Sequence, residues 1–216
     1  MHLTDDAQKL RALSHSEVFQ ALDQQSRKTL AALAQIKRVT AGEIIFKQGA
    51  PGRSMVAIAE GIVRISMATT NAREVILAEL HLGDVFGEIA LLDGGERSAD
   101  ARALTNCTLV VLERRDLLGV LQRHPETHLG IIQLLCKRIR RSDERMVEVA
   151  FLDMPVRMAR TLLRLTAHAL GGSLPPVMRL SLSQAEIGSM IGSSRENVNR
   201  CLRKWQKAEI IDIREG

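Results

Sequence analysis

Aromatic residues are scarce in this 216-residue chain, which has no tyrosine, one tryptophan and four phenylalanines. The core must therefore be aliphatic, and a ligand that carries a base cannot depend on aromatic stacking for its binding. Apolar residues make up 45% of the chain and charged residues 25%, as in ordinary globular proteins. The length suffices for one large domain or two smaller ones with buried cores.

Cysteine is also scarce, and Cys107, Cys136 and Cys201 are far apart and odd in number. They form neither a disulfide framework nor a C-x-x-C motif, so we expect reduced thiols in a cytoplasmic protein. The first residues lack the basic and then apolar pattern of a signal peptide, and no apolar run is long enough to span a bilayer. No membrane partner is expected.

Catalytic and metal-binding motifs are missing as well. The chain contains no G-x-S-x-G, Walker loop or H-E-x-x-H motif, so we predict no enzymatic activity. His124 and His128 are four residues apart, but Pro125 lies between them and no third ligand is near in sequence. Surface histidines are therefore expected there, and no metal.

Positive charge is concentrated at the C-terminal end. Residues 1–153 carry 20 Lys/Arg and 20 Asp/Glu, whereas residues 154–216 carry 10 and 5, so the whole net charge of +5 lies in the last 63 residues. A basic segment after a neutral body indicates a polyanionic partner, most simply nucleic acid. The alternative is that the charge serves only solubility.

The order of structural elements follows from apolar spacing. Residues 16–35 predict one or two short helices. From Gly42 onward, short β-rich runs alternate with glycine-containing turns, which predicts a sandwich or small barrel. The runs are EIIFK (43–47), MVAIA (55–59), IVRISM (62–67), EVILAEL (74–80) and TLVVLE (108–113).

After Pro125 the spacing predicts a helix of about seven turns. Its heptad seam consists of Ile132, Leu135, Ile139, Ser142, Met146 and Val149. Such a seam is more typical of a dimer interface than of a face packed on the chain's own body, which is the alternative. The polar Ser142 either sets the register or offers a hydroxyl to a bound molecule. Pro155 predicts the helix end, and the next helix, capped by Asp153, is expected to end at Gly171-Gly172.

Residues 181–205, SLSQAEIGSMIGSSRENVNRCLRKW, predict two short helices around a tight turn at Gly192. Ser183 and Glu186 have the spacing of a capping box. The inward stripe of the second helix is Val198, Cys201, Leu202 and Trp205, and its opposite face carries Arg195, Glu196, Asn199, Arg200 and Arg203. This is the layout of a helix-turn-helix, in which arginine can pair with guanine and glutamate with cytosine. The alternative for Glu196 is a second capping box with Ser193.

The segment 86–103, FGEIALLDGGERSADARA, brings an acid and an arginine to one tight bend. A short helix from Glu88 would aim its first N–H groups at an anion, and Arg97 with Ser98 would add donors suited to a phosphate. Glu88 would repel that phosphate but suits sugar hydroxyls, so the combination predicts a nucleotide. The alternative is a Glu88–Arg97 ion pair that braces the loop.

The string FGEIALLDGGERSA closely resembles the phosphate-binding cassette of cyclic-nucleotide-binding domains, and we call residues 86–103 the cassette. With the FLD sequence at 151–153 and the string GSSRENVNR, the order of parts resembles the Crp/Fnr (catabolite activator and fumarate–nitrate regulator) family over nearly the whole chain. The resemblance implies an α+β fold. Its parts are a jelly-roll-like β-roll domain at 1–124, a dimerisation helix at 125–152 and a winged helix-turn-helix domain at 153–216.

The resemblance also implies roles for individual residues in the ligand site. Gly87 and Glu88 would line the ribose, and Arg97, Ser98 and the Ala99 backbone would hold the cyclic phosphate. Ser142 and, from a second subunit, Asp143 would contact the base, while Arg138, one turn earlier, is expected to reach the pocket. A carboxylate matches guanine better than adenine, so the choice between cyclic AMP and cyclic GMP stays open. The alternative for Asp143 is a solvated side chain without a role.

For DNA, the resemblance implies that Arg195, Glu196 and Arg200 read a TGTGA-like half-site. The predicted DNA-contacting set is Ser183, Gln184, Ser194, Arg195, Glu196, Asn199 and Arg200. We therefore expect a homodimeric DNA-binding regulator controlled by a cyclic nucleotide, cyclic AMP favoured, with RNA polymerase as a candidate further partner. It is left open whether the wing is complete.

Two other functions are alternatives to this one. The same fold could respond to redox, to a gas or to no ligand, although the chain lacks an N-terminal cysteine cluster and His81 is expected in an exposed loop rather than as a haem ligand. A cyclic-nucleotide subunit that acts on a protein partner is the other alternative, and the helix-turn-helix argues against it.

Overall fold

A computed structural model describes residues 4–20, 22–68, 74–170, 180 and 182–213, with the backbone alone at 126 and 167–170. The chain forms two compact units. Unit 1 comprises Met1–Met67 and Leu77–Ile139, and unit 2 comprises Ala68–Ile76 and Arg140–Gly216.

Two four-stranded sheets precede the long helix, so the predicted sandwich is confirmed. The strands are β1 Gln35–Val39, β2 Ile44–Phe46, β3 Ser54–Glu60, β4 Val63–Ala68, β5 Glu74–Leu80, β6 Val85–Phe86, β7 Asp100–Ala103 and β8 Cys107–Glu113. One sheet has the order β1-β8-β3-β6 and the other β2-β7-β4-β5. All five predicted runs are strands, whereas β1, β6 and β7 were not predicted.

Strand β3 is apolar along most of its length because both of its faces are buried. Val56 and Ile58 point into the core between the two sheets. Met55 and Ala57 point to the other side, into a core formed with the helices. Since successive side chains of a strand point to opposite faces, a strand covered on both sides reads as a continuous apolar run.

Helices cover the outer face of the β3 sheet. They are α1 Asp5–His15, a 3₁₀ turn at Glu17–Phe19, α2 Gln24–Leu33, α3 Glu88–Asp93 and α4 Arg114–Arg123. The helices expected within 16–35 are present, but α1 was missed. Its start is marked by Thr4, whose hydroxyl accepts from the Ala7 N–H, and by Asp5 and Asp6 in the first turn.

The long helix α5 spans Glu126–Phe151, and α6 follows at Met154–Leu170, so the predicted break before Pro155 is confirmed. The seam side chains Ile132, Ile139, Met146 and Val149 are all more than half exposed. Only Leu135 of the seam packs partly against the core of unit 1. The seam is therefore not a face buried on the chain's own body. The expected end at Gly171-Gly172 lies outside the described residues.

Unit 2 contains α6, α7 Gln184–Ile191 and α8 Arg195–Lys207. Met158 of α6, Ile187 of α7 and Val198 and Leu202 of α8 share one core. The inward stripe predicted for α8 is confirmed. The part of this unit described at 182–213 contains no strand, so the predicted wing is not seen there.

A buried carboxylate joins α5 to α6 within unit 2. Glu148 is 7% exposed, and both of its oxygens accept from Arg164, at 2.8 and 3.2 Å, while Arg160 lies 3.5 Å away. Burial by itself would raise the pKa of Glu148, but the hydrogen bonds and charges of Arg164 and Arg160 outweigh it and hold this pKa below its usual value.

The substitution Glu148→Gln should destabilise unit 2 by about 1–2 kcal/mol at pH 7, because it removes charge-assisted hydrogen bonds to half-exposed arginines. Urea unfolding followed by the fluorescence of Trp205, the only tryptophan, measures this change. The depressed pKa stabilises the fold above the unfolded value of about 4.3, and this contribution is lost as the pH falls through the folded value. The difference between wild type and Glu148→Gln should therefore shrink as the pH falls below about 4.3.

Glu144→Gln is the matched control, since Glu144 is an exposed acid on the same helix. Equal effects of the two substitutions, or a difference that does not depend on pH, would contradict this account of Glu148.

Candidate functional site

The cassette begins with a turn that only glycine fits well. Strand β6 ends at Phe86, and Gly87 then adopts φ 78°, in the left-handed region, as the N-cap of α3. A Cβ atom at Gly87 would lie 2.3 Å from Nη1 of Arg97. The start of α3 at Glu88 is as predicted. This turn places the backbone of Gly87 directly against the guanidinium of Arg97.

Arg97 is held in place by the protein on one edge and on one face. Its Nη1 donates to the carbonyl oxygens of Ser54 at 2.7 Å and Gly87 at 2.9 Å, and its Nη2 donates to the Ser54 hydroxyl at 2.9 Å. Its guanidinium carbon lies 4.2 Å from the centre of the Phe46 ring, a cation–π contact. The Nε–H is buried and has no hydrogen-bond partner among the described residues.

Arg97 as a whole residue is 6% exposed. Desolvation lowers its pKa from the usual value, and the negative charges of Glu88 and Glu113 oppose that change. Arginine nevertheless stays protonated in proteins. The cassette therefore contains a fixed, buried positive charge with an unmet donor.

Glu88 is 1% exposed and is paired with the long helix. Its Oε1 accepts from Nη1 of Arg138 on α5, and Nη2 of the same arginine donates to the Val85 carbonyl. Within the described parts of the chain, Glu88 Oε2 is buried without a hydrogen-bond partner. No ion pair joins Glu88 to Arg97 in the described structure, so the loop-bracing alternative is wrong.

A nucleotide fits the chemistry of the two unmet atoms. A buried polar atom without a partner costs about 1–3 kcal/mol, so it marks strain, a bound water or ion, or a place for a ligand. Glu88 Oε2 can only accept and therefore suits a sugar hydroxyl, whereas Arg97 Nε can only donate and suits a phosphate oxygen. Ser98, which follows Arg97, has an exposed side chain, and Ala99 is buried.

The remaining predicted ligand residues, Arg138, Ser142 and Asp143, all lie on α5. Arg138 is the α5 residue that reaches the cassette, and it does so through Glu88. Ser142 and Asp143 lie on the part of α5 that belongs to unit 2, and both are exposed. Their predicted contacts with a base stay a prediction. Sequence reasoning missed Ser54 and Phe46, both of which contact Arg97 from strands distant in the chain.

The candidate DNA-binding surface lies on α7 and α8. Ser183 and Glu186 form the predicted capping box, and Gly192 has the predicted left-handed conformation. Ser194 is the N-cap of α8 and accepts from the Asn197 N–H at 3.3 Å, so the alternative capping box that begins at Ser193 is wrong.

Arg195, Glu196 and Arg200 are exposed on α8, and Asn199 on α8 and Gln184 on α7 are half-buried. The exposed face also carries Arg203, Lys204 and Lys207. Positive side chains beside one acid on an exposed helix can contact phosphates and base edges together.

His81, His124 and His128 belong to neither the cassette nor the face of α8. His128 is exposed, as expected. His124 is half-buried and shares a 3.0 Å hydrogen bond with the Ser26 hydroxyl, and His81 is half-buried in the turn after β5, so the expectation of an exposed side chain is wrong for these two. Among the described residues, no cluster of three or more His, Cys, Asp or Glu could hold a metal ion. None of the described helices is long and apolar enough to cross a bilayer.

Two known protein families match this chain, one over the cassette and one over the candidate DNA-binding surface. Residues 36–124 match the cyclic nucleotide-binding domain, a range that includes the cassette. Residues 156–216 match the Crp-like helix-turn-helix domain, a range that includes α7 and α8. The two matches define a class of DNA-binding transcription regulators that carry a cyclic-nucleotide-binding domain.

Relatives match over most of their length. The CRP-like cAMP-activated global transcriptional regulator of Mycobacterium tuberculosis is 29% identical over 204 residues, 91% of each chain. The cyclic AMP receptor protein of Thermus thermophilus is 33% identical over 175 residues, 81% of this chain and 78% of the relative. The structure of the c-di-GMP responsive global regulator CLP of Xanthomonas campestris is similar with a TM-score of 0.80 at 26% identity, covering 89% of this chain and 96% of that one.

The chain belongs to the Crp/Fnr family, whose members are transcription regulators rather than enzymes. The β-roll and helix-turn-helix expected from the sequence are confirmed.

The substitution Arg138→Met should destabilise the ligand-free protein by about 2 kcal/mol, because it leaves the buried Glu88 carboxylate without its cation. This cost is below the roughly 3–5 kcal/mol typical of a fully buried pair, because the Arg138 side chain is 32% exposed. Urea unfolding followed by circular dichroism measures the change. Arg140→Met, two residues away and exposed, is the control. Equal stability of the two variants would show that Glu88 does not depend on Arg138.

Proposed function

We propose that this protein is a homodimeric regulator, without catalytic activity of its own, whose affinity for a palindromic operator with TGTGA-like half-sites is raised by a cyclic nucleotide. The observation that carries the proposal is the pair of buried, unmet atoms in the cassette, Glu88 Oε2 and Arg97 Nε. They lie in a cyclic-nucleotide-binding domain on the same chain as a Crp-like helix-turn-helix. The protein would act in the cytoplasm.

The ligand is proposed to bind with its ribose at Gly87 and Glu88 and its cyclic phosphate at Arg97, Ser98 and the Ala99 backbone. Arg97 is already fixed and desolvated, so little order has to be gained when an anion binds. The scarcity of aromatics leaves the base to be held by polar groups, for which Ser142 and Asp143 of α5 are the candidates.

Cyclic AMP is the favoured ligand, with cyclic GMP as the competitor. Support for cyclic AMP comes from the names of the mycobacterial and Thermus relatives. Asp143 supports cyclic GMP, because a carboxylate accepts well from the N1–H and N2–H₂ edge of guanine. The Xanthomonas regulator, described as responsive to c-di-GMP, adds a third ligand that must be tested.

The dimer is proposed to form along the exposed seam of α5. The apolar side chains of this seam recur at heptad spacing, and they would leave a large apolar surface in contact with water if α5 had no partner. They are Ile132, Ile139, Met146 and Val149. In a symmetric pair, two recognition helices about 34 Å apart would enter successive major grooves of a palindrome. Ser183, Gln184 and Ser194 would contact the backbone, and the side chains of Arg195, Glu196, Asn199 and Arg200 the bases or nearby phosphates.

The link between ligand and DNA is proposed to pass through α5. Arg138 of this helix holds Glu88, and the same helix continues without a break to Phe151, just before α6. When Glu88 accepts from a ribose hydroxyl, the position of Arg138 and therefore of α5 would change. The ligand controls DNA binding only if it prefers the DNA-competent arrangement. RNA polymerase is a candidate partner of the bound dimer.

The first test measures the binding of a labelled palindromic duplex by fluorescence anisotropy, with cyclic AMP, cyclic GMP, c-di-GMP or no ligand. One cyclic mononucleotide should raise the affinity of the wild type at least tenfold. Arg97→Gln should abolish this gain because the charge that holds the phosphate is gone, while the dimer stays intact by size-exclusion chromatography. Arg102→Gln, an exposed arginine on β7, should keep the gain. No gain with any ligand would favour a redox, gas or ligand-independent regulator.

A second test separates the two mononucleotides by calorimetry on wild type and Asp143→Ala. If Asp143 accepts from guanine, the substitution should weaken cyclic GMP about tenfold, as loss of a charge-assisted hydrogen bond does, and leave cyclic AMP within about twofold. Glu144→Ala, an exposed neighbour, is the control. Unchanged binding of both nucleotides would assign Asp143 to the solvated alternative.

A further inference from the structure

Ser54 is not part of the cassette in sequence, yet it supplies two of the three acceptors that hold Arg97. It is the first residue of β3, 43 residues before Arg97. Its carbonyl oxygen accepts from Nη1 and its hydroxyl from Nη2, at 2.7 and 2.9 Å. One residue therefore grips both terminal nitrogens of the guanidinium.

The hydrogen bonds that Arg97 makes within the described structure leave two of its N–H groups, one on Nη2 and one on Nε, free for a ligand. A guanidinium has five N–H groups in one plane. The carbonyls of Ser54 and Gly87 account for both hydrogens of Nη1, and the Ser54 hydroxyl accounts for one of Nη2. Because Ser54 accepts from Nη1 and Nη2 together, it faces the edge between these two nitrogens, so the remaining hydrogen of Nη2 lies on the same edge as the buried Nε–H. Two parallel N–H groups on one edge match two oxygens of a phosphate.

The neighbours of Arg97 restrict tilting of its guanidinium out of its plane. Rotation within that plane is restricted by the hydrogen bonds to Ser54. The Phe46 ring covers one face of the group, at 4.2 Å from its central carbon. Gly52 packs close to Nε, because a Cβ atom at this position would lie 3.2 Å from Nε. The Ser54 hydroxyl is the one side-chain acceptor that Arg97 has among the described residues.

We propose that Ser54 is a positioning residue of the nucleotide site, which fixes the Nε–Nη2 edge of Arg97 toward the cyclic phosphate. This inference rests on the proposed function. Without the hydroxyl, Nη2 would lose its acceptor in a buried place and the guanidinium would turn to find another. The site would then still attract an anion, but it would distinguish less well between the two exocyclic oxygens of the phosphate.

Phosphorothioate analogues of cyclic AMP test this selectivity, because the Rp and Sp forms replace one or the other exocyclic oxygen by sulfur, a weaker acceptor. Calorimetry gives the affinity of the full-length protein for cyclic AMP and for both analogues. If cyclic GMP is the tighter ligand of the wild type, its Rp and Sp analogues replace these probes. The quantity of interest is the ratio of the two analogue affinities, which a general loss of stability would not change.

Ser54→Ala should weaken the cyclic mononucleotide roughly tenfold, the effect of one charge-assisted hydrogen bond, and bring the Rp/Sp ratio closer to one. Ser54→Thr keeps a hydroxyl and should retain both the affinity and the ratio. Ser54→Cys offers only a weak acceptor and should behave as alanine does, which covers the case that Ser54→Ala does not fold. Ser66→Ala, a buried serine on β4, is the matched control and should match wild type.

An unchanged Rp/Sp ratio in Ser54→Ala or Ser54→Cys, or a threonine variant that behaves like alanine, would overturn the positioning role and leave the proposed function standing. A wild-type protein that binds neither cyclic mononucleotide would overturn both.

Discussion

The carboxylate of Glu88 is almost fully buried, and an ionised acid in such a place needs a partner close by. Arg138 provides it from α5, and the same arginine also binds the carbonyl of Val85 at the start of the cassette. The pair fixes the cassette to the part of α5 that belongs to unit 1. Since only one oxygen of Glu88 is used, the arrangement also leaves an acceptor in the pocket.

Opposite charges in the cassette are kept apart rather than joined. Glu88 is held by Arg138, while Arg97 is held by neutral acceptors on Ser54 and Gly87 and by the Phe46 ring. Neutral acceptors leave the positive charge of Arg97 uncompensated at close range, which an anion can then satisfy. A direct Glu88–Arg97 pair would have cancelled both charges and left no reason for either residue to bind a ligand.

Much of this organisation could be predicted from the sequence because its causes are local. Glycine-separated β-rich runs, the capping box at Ser183 and the inward stripe of α8 each depend on neighbouring residues, and all are present. Local markers for α1 were present too, in Thr4 and two acids, but its apolar pattern is weak. Strand β1 was missed because only Val39 of its five residues is buried and its Lys37 and Arg38 are exposed, as on an edge strand.

The contacts of the site itself could not be predicted, because they join distant parts of the chain. Nothing near Arg97 in sequence indicates that Ser54 and Phe46 surround it. The heptad pattern of α5 does not mark Arg138 either, and only the family resemblance placed it near the pocket. Such pairings follow from the packing of β3 and α5 around the cassette. Sequence reasoning brought Glu88 and Arg97 to one bend as candidate ligand residues, but it did not show what holds them.

The central claim is that one molecule couples a nucleotide site to a DNA surface, and coupling of that kind must be reciprocal. The most direct measurement is a calorimetric titration of the cyclic nucleotide into the protein alone and into its complex with palindromic DNA. DNA should tighten nucleotide binding by the same factor by which the nucleotide tightens DNA binding. Equal nucleotide affinities with and without DNA would contradict the central claim.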